Sequence, residues 1–160
     1  MRRRREPEHV DVLLACSAGG HLLQLLALRG AWESFSHIWL TDDTSDARSL
    51  LDRETVFFAH IPTTRNLKNL FRNLVLAWRL TRRFRPRVVL TTGAGTAVPF
   101  AWVGRLRGAR VVYVESLTRI DEPSFSCRLI GPVADRTYVQ WPELLAALPR
   151  ARYAGTVLDR

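Results

Sequence analysis

The sequence predicts an α/β domain built on a mostly parallel sheet with helices on both faces. Three observations carry this. Short apolar runs alternate with helix-length segments along the chain, which is the pattern of βαβ units. Several runs, such as Val10 to Cys16 and Arg110 to Glu115, are nearly continuous rather than alternating, as suits strands covered on both sides. Two glycine-bearing loops, Ser17 to Gly20 and Thr91 to Gly95, each follow a strand and open a helix.

Taken in order, Val10 to Cys16 is the first strand, and it ends in the tight turn Ser17-Ala18-Gly19-Gly20. His21 to Trp32 follows as a helix, with Leu22, Leu25, Leu26 and Arg29 three and four apart and Gly30 near its end. Phe35 to Leu40 is a second strand, Asp46 to Asp52 a short helix and Thr55 to His60 a third strand. Asn66 to Phe84 is the longest helix, stopped by Arg85-Pro86 because a proline disfavours helical backbone before it. Arg87 to Leu90 forms a fourth strand and Ala97 to Arg107 a helix, with Pro99 tolerated in its first turn. Arg110 to Glu115 is a fifth strand, Ser124 to Ile130 a helix and Arg136 to Val139 a sixth strand. Pro142 to Leu148 is a short helix and Arg152 to Ala154 a last short strand. Residues 1–9 read as a disordered basic arm and residues 10–160 as one domain.

A chain of 160 residues is long enough to bury a core without disulfides or metal. Apolar residues make up 47% and charged residues 24%, an ordinary globular balance. Cys16 and Cys127 stand far apart and form no CxxC pair, so neither a disulfide framework nor a zinc site is expected, and a reducing compartment is. No apolar run approaches the roughly 18 residues of a membrane span, and no apolar stretch follows Arg2 to Arg5 to make a secretory signal. The net charge of +9 is almost all arginine, with Lys68 the only lysine. Nucleic acid, an anionic membrane surface or a phosphate-rich ligand all fit that balance, as does a solvated surface.

In parallel sheets ligands bind at the carboxyl ends of the strands, so the loops there carry the functional candidates. Ser17-Ala18-Gly19-Gly20-His21 combines close backbone approach with the free N–H groups of a helix start, a natural place for a phosphate or diphosphate. His21 sits at that helix start, where an imidazole can take a proton from an attacking hydroxyl. The alternative is a plain tight turn capped by His21. Thr91-Thr92-Gly93-Ala94-Gly95-Thr96 repeats the arrangement after the fourth strand. Glu115-Ser116 ends the fifth strand, where an acid can bind a sugar hydroxyl, orient a base or pair with Arg119. Asp42-Asp43 follows the second strand, which leaves a ribose-binding role open beside ordinary turn and N-cap chemistry. On the Asn66 helix, Lys68, Arg72, Arg79, Arg82 and Arg83 share an arc of roughly 100°. Leu67, Leu70, Phe71, Leu74, Ala77 and Trp78 fill the opposing face. The basic face fits an anionic bilayer, while the apolar face is expected to pack on the sheet.

Ser17-Ala18-Gly19-Gly20-His21, Thr91-Thr92-Gly93-Ala94-Gly95 and Val114-Glu115-Ser116, in this order and spacing, resemble the Alg14/PssD/CpsF family. So does the closing stretch Asp135-Arg136-Thr137-Tyr138-Val139-Gln140-Trp141-Pro142 with Tyr153-Ala154-Gly155-Thr156-Val157. The resemblance covers about residues 10–158. It implies a Rossmann-like domain equivalent to the N-terminal half of a MurG-type GT-B glycosyltransferase. It further implies a two-chain hexosyltransferase, inactive as a single chain, using UDP-N-acetylglucosamine or a similar donor. This chain would bind a polyprenyl diphosphate-linked acceptor and recruit the donor-binding subunit to the membrane, in capsule, exopolysaccharide or lipid-linked oligosaccharide assembly. The acceptor diphosphate would lie against Ser17, Gly19, Gly20, Thr92, Gly93, Gly95 and Thr96, with His21 and Glu115 as catalytic residues. No cofactor or metal is implied. Family members that carry an N-terminal membrane helix differ from this chain, which has only Arg2 to Arg5 there. Attachment to the cytoplasmic face is therefore expected to be peripheral, through that arm and through Lys68, Arg72, Arg79, Arg82 and Arg83. The sequence also ends at Arg160, near where a linker to a donor-binding half is expected. Two other readings stay open: a membrane-recruitment subunit without catalytic groups, and a stand-alone nucleotide-binding enzyme using Asp42 or Asp43. Nucleic-acid binding fits least, because the basic residues lack interleaved aromatics.

Overall fold

The computed structural model describes residues 9–158; of the arm read over residues 1–9, all but His9 lies outside them. Seven strands form one sheet: β1 (Val12–Cys16), β2 (His37–Thr41), β3 (Val56–Phe58), β4 (Val88–Gly93), β5 (Arg110–Val114), β6 (Arg136–Val139) and β7 (Arg152–Tyr153). Their order is β3-β2-β1-β4-β5-β6-β7, and every pair is parallel. The helices are α1 (Gly20–Ala27), α2 (Ser45–Leu50), α3 (Leu67–Phe84), α4 (Val98–Leu106) and α5 (Phe125–Ile130).

Two apolar layers sandwich the sheet. Leu14, Trp39 and Leu90 meet Leu22 and Leu25 of α1 and Ala47 of α2 on one side. Leu13, Val89 and Val111 meet Ala77 and Phe84 of α3, Phe100 of α4 and Ile130 of α5 on the other. The chain reverses direction across the sheet between β1 and β4, so the loops after these two strands flank the switch point where such folds bind ligands.

The strands β1, β5 and β6 fall within or on their expected ranges. Several elements differ from expectation. The first helix stops at Ala27 and continues as a 3-10 turn over Arg29–Ala31, because Gly30 interrupts the α-helical run. The fourth strand runs on to Gly93, since β-branched Thr91 and Thr92 are buried and Thr91 pairs with both Ala15 of β1 and Tyr113 of β5. Pro142–Ala146 is a 3-10 rather than an α-helix, and β7 stops at Tyr153.

A further difference concerns the face of α3. Its buried residues are Asn69, Asn73, Ala77, Leu80, Thr81 and Phe84, so Ala77 alone of the expected packing face reaches the core. Polar side chains can be buried there because each is hydrogen-bonded. Asn73 accepts from the His60 N–H (2.8 Å) and donates to the His60 carbonyl (3.0 Å). Asn69 donates to the Pro62 carbonyl at 3.0 Å, and Thr81 back-bonds to the Ala77 carbonyl at 2.8 Å. The apolar stripe then lies roughly 100° further round the helix and faces outward: Leu67 is 81% exposed, Phe71 68% and Trp78 49%. Lys68, Arg72, Arg79, Arg82 and Arg83 are all exposed on the remaining flank, as expected.

Candidate functional site

The two glycine loops lie side by side. Cys16, the last residue of β1, is the register partner of Gly93, the last of β4. Gly19 (φ 75°) and Gly93 (φ 96°) hold backbone angles that disfavour other residues. A Cβ on Gly93 would come within 2.9 Å of the Tyr113 hydroxyl and 3.1 Å of Ser126 Oγ, so this turn admits only glycine without displacement.

Reciprocal bonds lock His21 onto the second loop. Its Nδ1 lies 2.8 Å from the Thr92 carbonyl, and Thr92 Oγ1 donates to the His21 carbonyl at 2.8 Å. A carbonyl only accepts, so Nδ1 must carry the proton. In the neutral ring Nε2 is then the basic nitrogen. His21 also lines a chamber of about 700 Å3 at the carboxyl ends of the strands.

Asp42 ties the two loops together. One carboxylate oxygen accepts from Thr96 Oγ1 at 2.7 Å and the other from the Ala18 N–H at 3.3 Å. Both oxygens are engaged within the chain, and Asp43 is paired with Arg48 at 2.6 Å. Both acids thus serve as loop and turn partners within the chain, the ordinary structural role left open beside a ribose-binding one. The Arg48 hydrogen bond and charge hold the Asp43 carboxyl below its ordinary range.

The expected diphosphate residues divide. Gly95 faces the chamber beside His21. Thr92, Gly93 and Thr96 are buried behind it. The two threonine hydroxyls are engaged by His21 and Asp42, and the Gly93 N–H by Thr91 Oγ1 at 2.9 Å. Ser17 and Gly19 are half-buried and Gly20 exposed at the start of α1. Gly19 caps that helix with no side-chain bond, and the Thr44 hydrogen bond is the main cause holding the Asp46 carboxyl below its ordinary range.

Glu115 is fully buried rather than open to the chamber. Its Oε1 accepts from the Tyr113 hydroxyl (2.9 Å) and the Ser116 N–H (2.7 Å), and its Oε2 from the Ser124 N–H (2.8 Å). Arg119, its suggested partner, is not bonded to it; it lines the chamber instead. The network continues through Ser124 Oγ to Ser126 Oγ at 3.1 Å, and Ser126 accepts from the Ala94 N–H at 3.2 Å. Glu115 thus connects the end of β5 to the N-terminus of α5 and to the second glycine loop. Burial pushes the Tyr113 hydroxyl pKa upward, with the nearby Glu115 charge adding to it, so it remains a proton donor to Glu115.

Sequence reading missed part of the chamber wall: Thr63, Thr64 and Arg65 before α3, Arg119 after β5, and Phe125 and Ser126 on α5. These converge from distant segments, and the one local signal was the polar run Thr63-Thr64-Arg65-Asn66 after a strand. The apolar stripe of α3 reaches the chamber at Leu67 and Leu70, where Phe125 (75% exposed) and Leu129 continue it. Trp78 continues the stripe toward α4, where Arg107 stacks over its ring at 4.6 Å. Among the described residues no helix is long and apolar enough to cross a membrane, and no cluster of three or more metal-ligand residues occurs.

A family model described as "Oligosaccharide biosynthesis protein Alg14 like" matches residues 17–157. The chain is similar to the UDP-N-acetylglucosamine transferase subunit ALG14 of Eremothecium gossypii, at 32% identity covering 97% of this chain and 82% of that protein. The Homo sapiens protein of the same name is 28% identical, covering 94% of this chain and 84% of its own. Among solved structures, MurG of Acinetobacter baumannii aligns with a TM-score of 0.73 at 18% identity, over 91% of this chain and 45% of that one. UDP-N-acetylglucosamine 2-epimerase of Rickettsia bellii aligns with a TM-score of 0.70 at 13% identity, over 94% and 46%. At such identities the likeness is one of fold, and the chain spans less than half the length of either structure.

Proposed function

Because this chain belongs to the Alg14-like family of oligosaccharide biosynthesis proteins, we propose that it is the acceptor-side subunit of a two-chain UDP-N-acetylglucosamine transferase. The observation that carries this is His21, fixed through Nδ1 to the Thr92 carbonyl at the wall of the 700 Å3 chamber. Its Nε2 is the nitrogen left to take the proton of an acceptor hydroxyl as that hydroxyl attacks the donor sugar. The relatives are named as subunits of such a transferase, so the sugar nucleotide is assigned to a separate partner chain. The acceptor is a sugar on a polyprenyl diphosphate, an amphiphile. That matches a chamber lined by both polar and apolar side chains, one wall of which runs into the exposed stripe of Leu67, Leu70 and Phe71.

In this reading the protein sits peripherally on the cytoplasmic face of the membrane. The α3 stripe enters the interface, and Lys68, Arg72, Arg79, Arg82 and Arg83 meet anionic headgroups. Glu115 acts as a positioning residue. It holds the α5 start and, through Ser124 and Ser126, the Ala94 N–H of the second loop.

The test is transfer of N-acetylglucosamine from labelled UDP-sugar to a membrane lipid fraction. It is run with this chain, with its donor-binding partner, and with both co-expressed. Activity confined to the co-expressed pair is expected, and His21→Ala should lower its turnover by about 100-fold or more while the chains still co-purify. Undiminished turnover in that variant would reduce the chain to a recruitment subunit.

A further inference from the structure

A diphosphate in the chamber needs cationic or N–H partners, and the glycine loops supply few. The Gly93 N–H is bonded to Thr91 and the Ala94 N–H to Ser126. The Thr92 and Thr96 hydroxyls are donated to His21 and Asp42. Two arginines line the same chamber from different loops: Arg65, between β3 and α3, and Arg119, between β5 and α5. Neither side chain has an ion pair or hydrogen-bond partner among the described residues. Arg65 is also held at φ 51°, a left-handed conformation that is strained for a residue with a Cβ. Glycine would satisfy that backbone without strain, so the turn itself does not call for arginine.

We propose that Arg65 and Arg119 form the clamp that holds the diphosphate of the prenyl-linked acceptor, one guanidinium from each side of the chamber. Guanidinium groups suit this task because their planar donors match phosphate oxygens in pairs. Apolar residues line the same cavity: Leu67 and Leu70 on the helix that follows Arg65, and Phe125 and Leu129 on α5. A diphosphate bound between the arginines therefore leaves its prenyl chain against an apolar wall that leads onto the exposed face of α3. A free nucleoside diphosphate has the same anionic group but nothing to place on that wall. The clamp rests on the acceptor-side reading above and is separable from it by experiment.

The test is calorimetric titration of the full chain with farnesyl diphosphate below its micelle concentration, with UDP and inorganic pyrophosphate as parallel arms. Farnesyl diphosphate should bind more tightly than either, and added salt should weaken it. Arg119→Ala and Arg65→Gly should each weaken it by about tenfold or more. Arg65→Gly should keep or raise the melting temperature, because the strained backbone relaxes, and Arg119→Ala should leave it unchanged. Unaltered farnesyl diphosphate affinity in both variants would overturn the clamp, as would UDP binding as tight as the prenyl compound. Arginine-dependent prenyl diphosphate binding without sugar transfer by the co-expressed pair would leave the clamp standing and sink the transferase reading. Normal transfer and acceptor KM in both variants would do the reverse.

Discussion

Replacing Glu115 with glutamine tests whether that carboxylate is an anchor. Three donors converge on it: the Tyr113 hydroxyl and Ser116 N–H on one oxygen, the Ser124 N–H on the other. Glutamine keeps a single oxygen. In its better orientation it retains the first pair of bonds as neutral ones and turns its amide toward the Ser124 N–H. Two charge-assisted bonds then weaken by about 1 kcal/mol each, and one buried N–H loses its acceptor at about 1–3 kcal/mol. Relief of the desolvation of a fully buried charge offsets part of this. The net loss is about 2 kcal/mol, which lowers the melting temperature of a chain this size by about 4–8 °C. Glu115→Ala leaves three donors unpaired and a cavity, so its loss should reach about 5 kcal/mol. Thermal and urea unfolding followed by tryptophan fluorescence measure both. If both variants melt within about 2 °C of the parent, the carboxylate does not hold this corner together. It would then have to act on substrate directly, contrary to its burial.

Other perturbations address separate parts of the structure. Gly93→Ala places a Cβ 2.9 Å from the buried Tyr113 hydroxyl at φ 96°; strain and overpacking should cost about 3 kcal/mol, read as a lower urea midpoint at unchanged slope. Phe71 exposes 68% of its surface, so Phe71→Ser should remove about 2 kcal/mol of insertion energy and weaken binding to phosphatidylglycerol vesicles about 30-fold without changing the melting temperature. Burial pushes the thiols of Cys16 and Cys127 up to about 12. Alkylation by iodoacetamide requires the thiolate, which forms only as pH approaches that value. Both should therefore resist the reagent at pH 8 in the native protein and react in denaturant, as mass spectrometry would record.

The sheet was legible because burial on both faces leaves a signature in the strands themselves. Val12–Cys16 and Arg110–Val114 are apolar almost without interruption, and the helices between them make the parallel order nearly obligatory. His21 was legible for the same reason, since it opens the helix after the first strand. The chamber was less so. Thr63, Arg119 and Ser126 meet only through the fold, and the partners that bury Asn69 and Asn73 lie 7 and 13 residues away. Hydrophobic periodicity also misled over α3. It identified a strong apolar stripe correctly, but periodicity cannot say whether a stripe faces the core or the outside. Glu115 was placed correctly at the end of β5, yet its burial depended on Ser124, nine residues on.

The orientation of α3 is the feature most in need of a functional cause. A helix that only covered a sheet would turn Leu67, Leu70, Phe71, Leu74 and Trp78 inward, and burying them would stabilise the domain by several kcal/mol. Here the inward face is Asn69, Asn73 and Thr81 beside Ala77, Leu80 and Phe84. Asn73 bonds both backbone groups of His60, and Asn69 the carbonyl of Pro62. Those bonds fix the segment that leads into Thr63, Thr64 and Arg65 on the chamber wall. One helix therefore does two jobs that conflict in a simple core helix: its polar face shapes the chamber, and its apolar face stays outside. A soluble ligand would leave that exposed stripe as an aggregation liability. In the proposed function an amphiphile carried in a bilayer turns it into an entrance, because the stripe reaches the chamber wall at Leu67 and Leu70.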